Sequence, residues 1–266
     1  MASGSVKTKA SGIVIAALIA GLSLGGCATG GSTGAADDVN DPLEVPNRMV
    51  FAINDALDNL VMKPVAYVYH EAVPDPIQMS IRAFLNYLRT PLILANDLLQ
   101  GEWGRARVTV ERFFQNSVVA GLWDLAAENG QPFHDEDFGQ TLGVWGMGEY
   151  FYLVLPIFGP SSPRDGIGLV VDQYLDPLSR YFSNTHQTGL WLGRAGIDGV
   201  DTRSRYLKSL DEIEKTSLDY YATIRSLYRQ KRADEIANGK GGGVRLVPGL
   251  SSDDDAPRTQ TSTTPQ

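Results

Sequence analysis

From Asp41 onward, apolar residues recur mostly at helical intervals. Val50, Phe51, Ile53, Leu57, Leu60 and Val61 follow Asp41-Pro42-Leu43-Glu44. There Asp41 is a candidate N-cap, Pro42 a first helical residue and Glu44 a capping-box partner three residues on. Pro64 is expected to break or restart this helix, and Val65 to Val73 predicts a second. After the break at Pro74-Asp75-Pro76, Ile77, Ile81, Phe84, Leu85 and Leu88 mark a third helix, stopped near Pro91. Leu92 to Leu99 predicts a short apolar helix with Gly101 as its C-cap. Arg105 to Leu122 predicts another, with Val110, Phe113, Phe114, Val118 and Leu122 on one face. A helix opens at Arg164-Asp165-Gly166 and stops at Asp176-Pro177. Leu190 to Val200 carries Trp191, Leu192 and Ile197 among Gly189, Gly193, Gly196 and Gly199, a spacing that lets helices approach closely. Thr202 to Ala237 predicts one long helix striped by Leu207, Leu210, Ile213, Leu218, Tyr221, Ile224 and Tyr228.

The exception lies between these helices. Phe138 to Gly166 mixes glycines with large apolar side chains. Its stretch to Phe158 is where strand or hairpin character is expected. Val144-Trp145 and Tyr150 to Leu155 flank Gly146-x-Gly148, where a turn could form. Permissive backbone bearing so much apolar bulk is unusual for a soluble core. The segment is expected to touch lipid. Short amphipathic helices fit a bilayer interface, but the same stripes fit a water-soluble bundle. Either way the fold class is mainly α, as a single domain over 41–237 with no internal repeat.

The N-terminus weights the choice. Lys7 and Lys9 precede an apolar run from Ile13 to Leu24, too short to span a bilayer as an ordinary helix. The run ends in Leu24-Gly25-Gly26-Cys27, which resembles the lipobox of bacterial lipoproteins. Residues 1–26 then read as a signal peptide and Cys27 as the lipidated residue. Residues 27–40, rich in Gly, Ser, Thr and Ala, read as a flexible tether. Residues 238–266 are too poor in apolar surface to offset ordering entropy and are expected to be disordered.

Composition removes other functions. A formal charge of −8 argues against nucleic-acid binding. The chain has one cysteine, which cannot form an internal disulfide. His70, His134 and His186 show no metal-ligand spacing, and no metal or other cofactor is expected. There is no G-x-S-x-G elbow, so an enzyme is not expected. Ser161-Ser162 reads as a turn into a helix cap. His134-Asp135-Glu136-Asp137 could do acid/base chemistry, but without a nucleophile motif it reads as a solvated loop.

Several motifs in register resemble the MlaA (VacJ) lipoproteins. They are DPLE..NR..FAIN (Asp41 to Asn54), KPVA (Lys63 to Ala66), NDLLQG (Asn96 to Gly101), RF..NS (Arg112 to Ser117), FGQTLGVWGMGEY…LVLPIFGPSSPRDGIG and YRQKR (Tyr228 to Arg232). The resemblance implies a helical ring in the periplasmic leaflet of the outer membrane. A central amphipathic channel would take mislocalised phospholipids from the outer leaflet to a soluble periplasmic carrier. Trimeric porins are implied as partners. The Gly/aromatic segment would be a hairpin gating the channel, through Gly143, Trp145, Gly146, Met147, Gly148, Tyr150, Phe151, Tyr152, Leu153 and Leu155. The chain departs from the family pattern at Pro46, Tyr87 and Leu125, and most consequentially at Tyr150-Phe151, where a Gly-Pro-like pair is frequent. A phospholipid buries roughly thirty methylenes, so carrying it bare through water costs on the order of 20 kcal/mol. A channel removes most of that barrier without catalysis. The alternatives are a structural, porin-associated lipoprotein without transport activity, and a lipid hydrolase using Ser161, Ser162 and His134.

Overall fold

The computed structural model describes residues 41–239. The predicted signal peptide, Cys27, the tether and nearly all of the C-terminal tail lie outside the described residues. The described chain is mainly helical, with one two-stranded antiparallel sheet.

The first helix, α1 (Glu44–Leu57), passes through a π-helical turn (Asp58–Met62) into α2 (Lys63–Ala72). Pro64 therefore restarts the hydrogen-bond ladder without ending the rod, because the wider π turn absorbs the proline's missing donor. Asp41 is not the cap: Leu43 occupies that position, with no side-chain hydrogen bond. The buried Asp41 carboxylate instead accepts from Asn47 at 2.9 Å, the Tyr221 hydroxyl at 2.5 Å and Arg225 at 2.6 Å.

Helix α3 (Asp75–Gln100) runs straight through Pro91, against expectation. Leu85, Leu92, Ile93, Asn96 and Asp97 are buried along it. Their packing outweighs the one lost backbone bond, worth about 3 kcal/mol. Gly101 caps it in the left-handed conformation, φ 75°, as expected. Helix α4 (Trp103–Ser117) ends short of Leu122, because Ala120 and Gly121 turn left-handed at φ 53° and 74°. A side chain at Gly121 would lie 2.6 Å from the Tyr87 ring.

Next come the short α5 (Leu125–Glu128) and α6 (Phe138–Val144), then strands β1 (Leu153–Leu155) and β2 (Gly159–Ser161). Helix α7 (Pro163–Leu175) opens on the cap Ser162, whose hydroxyl accepts from the Asp165 N–H at 3.1 Å. Helices α8 (Pro177–Asn184) and α9 (Thr188–Arg205) follow. The helix expected over 202–237 is three pieces: the end of α9, then α10 (Leu207–Thr216) and α11 (Tyr220–Ile236). Ser217 is extended and Asp219 caps the restart. The break exposes Leu218 while Ile213 and Tyr221 are buried, so the apparent stripe was not one face. The glycines of α9 do not mediate close helix packing. Gly189, Gly193 and Gly196 face open space, and only Gly199 nears a neighbour, Met62, at 3.4 Å.

Burial is inverted for a water-soluble bundle. More polar and charged residues than apolar ones are buried among the described residues. The apolar cluster found among the described residues is small: Tyr152, Val154 and Tyr221, with Val50, Phe51 and Tyr228 against it. Meanwhile Val45, Met49, Ile53, Leu57, Leu60 and Val61 are exposed along the first rod, Leu60 by 75%. Among the described residues no helix is long and apolar enough to cross a membrane.

Candidate functional site

The Gly/aromatic segment is helix, loop and hairpin in turn. Leu153 pairs with Ser161, Val154 with Pro160 and Leu155 with Gly159. The hairpin turn is therefore Pro156–Phe158, not Gly146-x-Gly148 as expected. The glycines lie instead in the connection from α6 to β1. Two left-handed residues, Ile157 at φ 70° and Gly159 at φ 78°, allow the tight reversal.

The root of the segment is held by buried charge. Asp137 caps α6 by accepting from the Gln140 N–H at 2.8 Å. Arg232 of α11 grips Asp137 through two bonds of 2.7 Å and reaches Asp165 at 3.0 Å. Asp165 also accepts from Tyr228 and Arg164. Burial pushes the Asp165 carboxyl up, but the Arg232 hydrogen bond and charge, with Arg164 and Tyr228, prevail and hold it at about 2. Gly139 and Gly168 let α6 and α7 cross backbone to backbone. A Cβ on Gly168 would stand 2.4 Å from the Gly139 nitrogen.

A second buried network lies beneath. The expected solvated loop is nothing of the kind at Glu136, which is fully buried. It accepts from Gln100 at 2.7 Å and Arg105 at 2.5 Å. Burial pushes its carboxyl up to about 7, against the pull of those partners. Gln100 reaches Thr141, and Thr141 donates to Asn96 at 2.8 Å. Asp172 accepts from the Phe138 N–H at 3.1 Å, and burial raises it to about 6. An acidic run looks solvated in sequence until its arginine and amide partners, distant along the chain, are placed.

The hairpin is sewn to α1 by two asparagines. Asn47 donates to the Tyr152 carbonyl and accepts from the Val154 N–H, both at 3.0 Å. Asn54 donates to the Leu155 carbonyl at 2.9 Å and accepts from the Ile157 N–H at 2.8 Å. These amides act as a surrogate strand on the free edge of β1. Seven residues apart, they share one helix face, a signal the apolar count passed over.

Of the site residues expected from sequence, Trp145, Gly146, Gly148 and Tyr150 are exposed. Gly143, Met147, Phe151, Leu153 and Leu155 are half-buried. Tyr152 is fully buried, edge-on to Tyr221 and Tyr228 at 5.9 and 5.8 Å. It is a core residue and faces nothing outside. Trp145 donates to the Leu99 carbonyl at 3.0 Å, and Glu149 pairs with Arg229 at 2.9 Å. Tyr150 sits at φ 65°, a left-handed position that suits glycine. The most exposed apolar residues of the segment are Ile157 and Phe158, at 82% and 70%, which the site residues chosen from sequence leave out.

The candidate hydrolase groups lie in separate networks. Ser162 caps α7, Ser161 bonds the Ser162 carbonyl, and His134 sits 3.2 Å from Asp97. No cluster of metal-ligating residues occurs among the described residues. A cleft lined by Tyr87, Thr109, Arg112, Phe133 and His134 has about 10 Å³ of room, enough for one water.

Residues 39–235 match the family model described as MlaA lipoprotein. The chain is 32% identical over 242 residues to the intermembrane phospholipid transport system lipoprotein MlaA of Haemophilus influenzae, covering 88% of this chain and 93% of that protein. It is 32% identical over 223 residues to the protein of the same name from Escherichia coli K12, covering 80% and 84%. A solved chain, from work on the structural basis for maintenance of bacterial outer membrane lipid asymmetry, aligns at a TM-score of 0.64. That alignment has 31% identity and covers 74% of this chain and 98% of the other.

Proposed function

The chain belongs to the MlaA lipoprotein family, and from that premise we propose that it moves misplaced phospholipids out of the outer leaflet of a bacterial outer membrane. Its relatives are named for intermembrane phospholipid transport. In this reading the protein is anchored through lipidated Cys27 in the periplasmic leaflet beside a trimeric porin. It passes lipid through an amphipathic channel to a soluble periplasmic carrier, and so maintains lipid asymmetry. No catalytic step is needed.

The observation that carries the reading is the inverted burial. Apolar side chains along α1 and α2, and at Trp103, Phe114, Ile157 and Phe158, are exposed while charge and amide networks fill the interior. Exposed apolar area on this scale marks a membrane or partner surface. The loop from Trp145 to Phe151 is the proposed gate, since its glycines and exposed side chains contrast with its clamped root.

Two measurements test this. Deleting the gene should place phospholipid in the outer leaflet, and the lipidated protein extracted from membranes should carry phospholipid. Intact asymmetry after deletion would overturn transport and leave a structural, porin-associated role. A disulfide tether across the 138–156 loop should disturb asymmetry when oxidised. Normal asymmetry under that tether would remove the gate from the mechanism.

A further inference from the structure

Three arginines recur along α11 at Arg225, Arg229 and Arg232, a spacing that shares one helix face. Each grips a carboxylate from another part of the chain. Arg225 holds Asp41 at 2.6 Å, and Arg232 holds Asp137 at 2.7 Å. Arg229 takes Glu149, in the connection from α6 to β1, at 2.9 Å. This grip is the most open of the three: 24% of the Arg229 side chain is accessible, against 11% for Arg225 and 13% for Arg232. Water weakens an open pair, so it is the first to yield.

What the grip holds is a strained turn. Tyr150 follows Glu149 at φ 65°, and the Phe151 N–H donates to the Glu149 carbonyl at 2.9 Å. A hydrogen bond closed around a single left-handed residue makes the rare, strained form of γ-turn, and a bulky aromatic at its centre is an outlier. Such a conformation persists only where its surroundings impose it. Arg229 acts on both ends of this one. It holds Glu149 before the turn, and its guanidinium lies 5.7 Å from the centroid of the Tyr152 ring after it. Tyr152 is itself fixed, fully buried and with its carbonyl bonded to Asn47 at 3.0 Å. Upstream, Gly146 offers a pivot: its φ is 93°, and a Cβ there would meet nothing within 4 Å.

We infer that the Glu149–Arg229 pair is a catch that holds the strained turn at Tyr150, and that its release lets the loop from Gly146 to Glu149 swing away from α11. The inference rests on the transport reading above, in which this loop is the gate, and names the contact that keeps it shut. On release Tyr150 relaxes to negative φ. Strain therefore favours the released loop and the ion pair opposes it. A partly exposed pair shifts an equilibrium by about twofold to fivefold, and one strained residue acts at a similar scale. Two opposed effects of like size leave both positions populated. The more buried grips of Arg225 and Arg232 have no such opponent and stay closed.

The test is hydrogen exchange of the Phe151 amide in the lipidated full-length protein in detergent micelles. Glu149→Gln should speed it about twofold to fivefold, the effect of losing one partly exposed ion pair. Tyr150→Gly should slow it by a similar factor, because glycine takes a positive φ without strain. Tyr150→Asn, which tolerates that region without glycine's added freedom, should act in the same direction. The double variant Glu149→Gln/Tyr150→Gly should return close to the wild-type rate. Amides of α6 and β1 should exchange as in the wild type throughout, which separates local release from a general loss of folding. A Glu149→Gln rate equal to wild type removes the catch, and Tyr150 variants that exchange as fast as wild type remove the strain. Either result overturns the inference and leaves transport standing, since exchange reads the turn whether or not lipid is carried. In cells, Glu149→Gln should move outer-leaflet phospholipid away from the wild-type level, and the double variant should restore it. Faster exchange with unmoved outer-leaflet phospholipid overturns the catch as part of a gate.

Discussion

Within one stretch of sequence, the root and tip of the Gly/aromatic segment are built on opposite principles. The root, α6 against α7, is glycine on glycine and held by Arg232 between Asp137 and Asp165, all largely buried. The tip and connecting loop expose Trp145, Tyr150, Ile157 and Phe158, and the bonds there include Trp145 to the Leu99 carbonyl, Glu149 to Arg229 and the Ile157 N–H to Asn54. Buried charge that is fully paired has one satisfactory geometry, because any shift strands a carboxylate. The exposed apolar residues at the tip, Tyr150 and Ile157 on left-handed backbone among them, have no buried charge to satisfy. The difference is between a base fixed by paired buried charge and an end whose apolar side chains are exposed.

Four substitutions bear on that contrast. Arg232→Met should cost most, about 3–5 kcal/mol, because it strips Asp137 of its ion pair and leaves the buried Asp165 only Arg164 and Tyr228. Thermal unfolding of the purified protein would measure it. In the wild type Asp165 is held below its unfolded value. Its contribution is therefore present above about pH 4 and lost as pH falls toward 2. A melt profile of Arg232→Met with the wild type's acid dependence would break the account of the root.

Gly168→Ala comes next. Its methyl would overlap the Gly139 backbone, which cannot rotate away, so a loss of about 2–3 kcal/mol is expected. A variant as stable as wild type would mean that the α6–α7 crossing is looser than drawn.

Glu136→Gln addresses the buried layer under the root. The native carboxyl keeps its proton to about pH 7, while the unfolded one ionises near its ordinary value. Wild-type stability should therefore fall as pH rises from about 4.5 to 7, by on the order of 2 kcal/mol. Asp172, raised to about 6, adds a fall of the same sign at lower pH. In Glu136→Gln the slope should flatten, as read from melts across that range.

Ile157→Gly should have the smallest effect on stability, a gain within about 1 kcal/mol, since a β-branched residue leaves a left-handed position. The same variant should lower lipid delivery, because it removes the most exposed apolar side chain of the segment. Unchanged delivery, followed as outer-leaflet phospholipid in cells, would sever the tip from function.

Much of this was legible along the chain. Helical stripes, the cap at Ser162, the left-handed Gly101 and the motif series DPLE..NR, NDLLQG and YRQKR pointed to a mainly helical member of the MlaA lipoproteins. Local rules failed where partners came from far away. Pro91 lies inside a helix because buried neighbours hold both sides of it. Asp41 leaves its cap for Tyr221 and Arg225, some 180 residues on. The turn moved from the glycines to Pro156–Phe158 because Asn47 and Asn54 bind the edge of β1.

The sequence by itself therefore determined the class, the predominance of helix and the family, because periodicity and motif order are local and cumulative properties. Only the tertiary structure decided which face of each helix is outside and which charges are buried together. A stripe of apolar residues reads alike toward a core or toward lipid, and an acidic run reads alike wet or dry. Burial depends on what the rest of the chain brings alongside, as Arg232 and Arg105 do here. That is a sum over distant partners, and no window along the sequence contains it.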